Sequence, residues 1–155
     1  MSAEKYLLVG PGGGERLRFL DNSTLVLKTT AAQAADAPAF YEYIAEPAAK
    51  GSPQHVHHGH DETFYVVDGH FEFTLGTATV AAEPGAFLSV SRGQPHAFRN
   101  VGEPKGRIVG TFTPPRFAQY FRELAQIIEE PAFNNGSKAY VREPLRTCQT
   151  RGAAR

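Results

Sequence analysis

Five of the six histidines of this chain, at positions 55, 57, 58, 60 and 70, fall within sixteen residues, and the sixth, His96, opens a later apolar segment. Neutral imidazole is the commonest protein ligand for transition metals. In the run QHVHHGHDETF, His55 and His57 are two residues apart, so on an extended segment both rings project from one face and can grip one ion. Glu62 lies five residues beyond His57, which requires a turn or bulge around Gly59 to return its carboxylate to the same point. His96 can complete the set from a neighbouring strand. Three imidazoles and one carboxylate suit Fe, Mn, Co, Ni, Cu or Zn, and leave coordination positions for water, substrate or dioxygen. The spacing also admits a competitor, because His58, His60 and Glu62 alternate in the same way and would share the opposite face. A His-rich turn facing solvent without metal is the plain alternative to both.

The elements that must position these residues are short and mostly extended. Fifteen Gly and eleven Pro punctuate brief runs rich in Val, Leu, Phe, Tyr and Thr, the pattern of a many-stranded β domain. Strands are expected at about 15–20, 23–30, 39–46, 53–58, 62–67, 70–75, 77–82, 86–90, 96–101 and 107–113. In HFEFTL, Phe71, Phe73 and Leu75 share one face and His70, Glu72 and Thr74 the other, so that strand has a dry and a wet side. Some ten such strands need a second sheet to cover their apolar faces, which implies a sandwich or barrel. The period changes after Pro114-Pro115. There Phe117, Tyr120, Phe121, Leu124, Ile127 and Ile128 recur at helical spacing, predicting a helix over about 115–130 with Thr113 as N-cap and Pro131 as its stop. Its stripe is expected to cover the open end or edge of the sandwich. The residues from 134 to 155 are polar and basic, with few anchors, and read as a mobile or partly docked tail beyond a single domain of residues 1–133.

Composition removes several classes of function. Sixteen basic residues balance sixteen acidic ones, so the chain lacks the surplus positive charge that a duplex-binding groove needs. A single cysteine, Cys148, leaves no intramolecular disulfide and no cysteine-cluster metal site. The first fifteen residues show no secretory pattern and no stretch approaches a membrane span, so a cytoplasmic address without nucleic-acid or membrane partners is expected. The glycines at 12–14 follow no strand with a dinucleotide fingerprint and are read as a turn.

Two segments resemble the paired motifs of the cupin superfamily. His55, His57, Glu62 and Gly69 fit the second half of the first motif in register, although position 49, where the motif opens on glycine, is Ala and the nearest glycine is Gly51. Gly85, Gly93, His96 and Asn100 fit the second motif, with Ser91 where the family has proline. The resemblance implies an all-β jelly-roll barrel with a C-terminal α-helix, in which His55, His57, Glu62 and His96 hold one divalent transition metal ion. It selects the His55 and His57 register, leaving His58 and His60 outward-facing or at the pocket mouth. The layout, one motif pair followed by a helix, is similar to small single-domain cupins grouped with quercetin 2,3-dioxygenases.

That resemblance implies a metal-dependent dioxygenase acting on an aromatic or enolisable hydroxy-ketone, with Glu62 accepting the hydroxyl proton. Two other readings stay open: a non-redox cyclase or isomerase of polyketide-like substrates in which Glu62 or His60 moves protons, and a barrel that binds or senses a small ligand without turnover. The many aromatic residues suit an apolar, flat-walled cavity and a small aromatic or apolar substrate. A homodimer is expected because sandwich edge strands need cover and cupin barrels commonly pair.

Overall fold

The computed structural model describes residues 6–29, 37–115 and 118–129 of the 155-residue chain. Nine strands follow the expected alternation: β1 (Glu15–Arg18), β2 (Thr24–Leu27), β3 (Ala39–Ala45), β4 (Asp61–Asp68), β5 (Phe71–Leu75), β6 (Ala78–Ala82), β7 (Phe87–Val90), β8 (His96–Asn100) and β9 (Gly106–Thr113). A helix, α1 (Ala118–Glu129), follows them. All strand pairs are antiparallel, and they build a six-stranded sheet in the order β1-β2-β3-β9-β4-β7 and a three-stranded sheet in the order β6-β5-β8. The two sheets form a jelly roll. No helix among the described residues is long and apolar enough to cross a membrane.

Period-two burial explains which faces meet. On β3, Ala39, Tyr41, Tyr43 and Ala45 are buried, while Phe40, Glu42 and Ile44 between them are less so. On β4, Glu62, Phe64 and Val66 point inward, and on β5 Phe71 and Phe73 do. Rings from opposite sheets then interlock: Phe64 lies 5.1 Å from Phe73 and 5.4 Å from Phe98, and Tyr43 meets Phe98 edge-on at 5.1 Å. Edge-to-face contacts of this kind add about 0.5–1.5 kcal/mol each beyond the area they bury.

Segment 53–58 departs from the expected strand. It makes only an isolated bridge, in which the backbone N–H groups of His55 and His96 each donate to the other residue's carbonyl at 2.9 Å. Pro53 has no N–H to give a ladder, and Gly51 just before it turns the chain with φ +68°. The segment is a loop whose composition imitates a strand.

Thr113 is the last residue of β9, opposite Asp61, and the described helix starts at Ala118, so the capping expected of Thr113 falls on a stretch outside the described residues. Residues 116–117, Pro131 and the basic stretch 134–155 lie outside the described residues. Within α1 the buried residues are Ala118, Phe121, Leu124, Ala125 and Ile128, spaced as the helical stripe requires. Phe121 rests on Phe19 at 5.9 Å and Phe112 at 5.3 Å, so the helix covers one end of the sandwich. Arg122 ties it to β1 through two-pronged hydrogen bonds to Glu15 of 2.6–2.9 Å.

Candidate metal centre

Four side chains converge at that covered end. One ligand atom each from His55, His57, Glu62 and His96 lies within 4.8 Å of all the others. His55 Nε2 is 3.1 Å from His57 Nε2, and Glu62 Oε2 is 3.3 Å from His57 Nε2 and 3.1 Å from His96 Nε2. Glu62 and His96 are 4% and 0% exposed. The loop supplies the first two imidazoles, β4 of the larger sheet supplies the carboxylate, and β8 of the smaller sheet supplies the last imidazole.

Backbone carbonyls set the tautomers. His55 Nδ1 donates to Pro53 O at 2.8 Å and His96 Nδ1 to Gln94 O at 3.0 Å. Since a carbonyl only accepts, Nδ1 carries the hydrogen, and in the neutral rings Nε2 presents a lone pair inward. Lone pairs of two imidazoles and a carboxylate oxygen facing one another repel unless a proton or a metal cation lies among them. This donor set fits a divalent transition ion, which would be held by His55, His57, Glu62 and His96.

The electrostatics agree with that arrangement. Burial pushes the Glu62 carboxyl up, but its hydrogen bonds with His57, His96 and Tyr41 outweigh burial and bring it down to about 2. Burial pulls the His96 imidazole down, yet the Glu62 carboxylate and the Gln94 carbonyl more than offset this and leave it above its usual value. Burial pushes His55 down to about 4, with His57 and His96 adding repulsion. Without an ion, the cluster is thus a buried carboxylate beside an imidazole whose proton affinity it raises; a divalent ion would supply the positive charge in place of a proton.

The other histidines separate cleanly. His58 is exposed and takes no part in the cluster, so the alternative set of His58, His60 and Glu62 does not assemble. His60 is buried against His57, with ring centroids 4.0 Å apart, and meets Phe112 edge-on at 5.4 Å. Burial, then the neighbouring His57 imidazole, pushes the His60 imidazole down to about 3. It therefore sits behind His57 rather than facing outward. His70 is remote and pairs with Glu83 at the surface.

Tyr41, one of the buried aromatic residues of β3, does more than fill the core. Its hydroxyl donates to Glu62 Oε1 at 2.7 Å. Burial first, then the neighbouring carboxylate, raises the phenol well above its ordinary value, so it stays a donor. The available signal was the alternation in AFYEYIAE, which puts the Tyr41 and Tyr43 hydroxyls on the dry face, where each needs a partner.

A cavity opens beside the cluster, lined by His55, His57, Glu62 and Tyr41 and otherwise largely by aromatic and aliphatic groups, including Phe19, Leu25, Tyr43, Phe98, Tyr120, Phe121 and Leu124. Its wall is thus mostly apolar, with its polar groups gathered at the imidazoles. Helix α1 contributes the last three residues of that wall.

The family model described as Cupin domain matches residues 41–111, which span β3 to β9 and contain all four converging residues. Quercetin 2,3-dioxygenase of Bacillus subtilis (strain 168) is 30% identical over 79 residues, covering 51% of this chain but only 23% of that protein's length. Among solved structures, KdgF from Halomonas sp. superposes with a TM-score of 0.58 at 20% identity, covering 68% of this chain and 92% of its own. The polyketide cyclase RemF from Streptomyces resistomycificus does so with a TM-score of 0.60 at 17% identity, covering 77% and 96%. At such identities the likeness is one of fold.

Proposed function

Since this chain is a cupin, we propose that it is a metal-dependent enzyme that binds one divalent transition ion and acts as a dioxygenase on a small aromatic or enolisable hydroxy-ketone. The observation that carries this reading is the packing of three imidazoles and one carboxylate within 4.8 Å, at the edge of an aromatic-walled cavity. Similarity to the Bacillus subtilis dioxygenase supports it over half of the chain.

When bound, the ion supplies positive charge to a substrate oxygen and, if redox-active, access to dioxygen chemistry. The rest falls to side chains. Phe98, Tyr120, Phe121 and Leu124 line the cavity with apolar surface suited to a flat substrate. Glu62, charged throughout the working range, accepts the hydroxyl proton of the substrate at a carboxylate oxygen. His60, neutral and packed on His57, is the next group able to move that proton. On this reading the protein works as a homodimer joined through its N-terminal strands, since β1 is a sheet edge and Tyr6, Leu7 and Leu8 before it are exposed.

Elemental analysis of protein purified without added metal, followed by oxygen uptake with a flavonol and with a simple 1,3-diketone, tests the proposal. Iron, manganese, cobalt, nickel or copper together with uptake is the expected result. Zinc without uptake transfers the reading to a cyclase or isomerase. A ligand released unchanged, without turnover, makes the barrel a binding protein.

A further inference from the structure

We infer that Tyr41 is a positioning residue for the metal centre: its phenol holds one oxygen of Glu62 so that the other alone is offered to the ion, and Gly110 is the notch that lets it reach. This inference rests on the metal-centre reading above.

The geometry follows from register. Tyr41 on β3 lies opposite Gly110 on the intervening strand β9, and Gly110 lies opposite Phe64 on β4. Glu62, two residues before Phe64, is opposite Phe112. Tyr41 and Glu62 are therefore on strands two apart, separated by about 10 Å across the sheet. Only a long side chain lying flat over β9 can join them, and it must cross the strand at position 110. A Cβ there would meet the Tyr41 Cζ and Oη at 2.3 Å, so any residue other than glycine displaces the ring.

The ring is held from its other sides as well. It stacks on Phe112 at 4.7 Å and 15°, and Phe121 of α1 meets it at 6.1 Å. Tyr41 is 2% exposed, so its hydroxyl is shielded from bulk water. It donates to Glu62 Oε1 at 2.7 Å, while Oε2 faces His57 and His96. Without that bond, the Glu62 carboxylate can rotate about its last torsion and present either or both oxygens. Partners that orient a ligand commonly govern about 10–100-fold in metal affinity.

The test uses the metal-free full-length chain and Co²⁺ as probe, followed by calorimetry and by visible absorption, which reports the ligand geometry directly. Tyr41→Phe is expected to fold, to bind Co²⁺ about 10–100-fold more weakly and to shift the absorption spectrum. Gly110→Ala, which leaves the hydroxyl in the chain but moves the ring, is expected to give the same spectral shift. In a Glu62→Ala background, Tyr41→Phe should cost nothing further, since the phenol then has no carboxylate to orient. Wild-type affinity and spectrum in Tyr41→Phe overturn the inference, and so does an equal loss in the Glu62→Ala background. A wild-type protein that takes up no Co²⁺ rejects the metal-centre reading itself, a result distinct from either.

Discussion

His57 and His58, adjacent in the chain, point to opposite sides of it: His57 is 6% exposed with its Nε2 3.3 Å from Glu62, whereas His58 lies in solvent. The divergence separates a proposed ligand from a bystander within one peptide unit. His57→Ala is expected to lose most bound metal and His58→Ala to keep it, as read by metal-to-protein ratio after gel filtration. Equal losses would show that the loop takes another register when metal is present.

Ligand nitrogens bind an ion only after losing their protons, so metal affinity falls with pH. His96, whose proton affinity is raised by Glu62, regains its proton more readily as pH drops than His55, which is pushed down to about 4. Release is expected to begin near the ordinary histidine value of about 6.5 and to be far advanced by about pH 4.5. Metal content after equilibration across that range checks it, and full occupancy at the acid end would mean that histidines are not the main ligands.

Glu62→Gln preserves shape and an oxygen donor but removes the charge and the proton acceptor. If Glu62 takes the substrate proton, turnover should fall by about 100-fold or more while much of the metal remains on the three imidazoles. Substrate affinity should change less than kcat. Near-normal turnover with intact metal would confine Glu62 to ligation and direct the search to His60.

The Arg122 clamp on Glu15 offers a local stability test. The pair is partly exposed, at 29% and 40%, so screening limits its worth to about 0–1 kcal/mol. Hydrogen bonding to Arg122 holds the Glu15 carboxyl below its ordinary 4.5. A depressed carboxyl stabilises the fold above its unfolded value and ceases to do so as pH falls through its folded one. Arg122→Ala should therefore unfold more easily than wild type at pH 7, with faster amide exchange in α1, and the difference should shrink as the solution is acidified below the ordinary carboxyl value. A gap that widens in acid would contradict the sign.

Homodimerisation is expected from the unpaired edge of β1 and the exposed Tyr6, Leu7 and Leu8 ahead of it. Solution scattering at tens of micromolar should return twice the 16.9 kDa chain mass. A monomer mass rejects it, and Leu8→Glu should shift a true dimer towards monomer.

Most strands were legible because burial on one face leaves a period of two that survives in sequence, as in HFEFTL or RIVGTFT. Segment 53–58 misled because histidine and valine alternate there too, and what denies it a ladder is Pro53 and the turn at Gly51. The missing motif glycine at 49 has the same explanation: a Cβ at 51 would sit 1.9 Å from Phe98 O, so the glycine is needed two residues later. The role of Tyr41 was not legible. Its partner is 21 residues away and is chosen by how β3 and β4 align across β9, a relation that spacing along the chain does not encode. The inward turn of His60 depends likewise on how the chain bends at Gly59.

Because Glu62 belongs to the six-stranded sheet and His96 to the three-stranded one, an ion bound by both acts as a rivet through the seam of the jelly roll. Separating the sheets then requires breaking coordination bonds as well as parting Phe64 from Phe73 and Phe98. Occupancy and folding become linked by mass action: an ion present at 100 times its Kd adds about 2.7 kcal/mol to the stability of the native state. A cell's supply of that ion would thus set how long the folded chain persists, quite apart from any turnover.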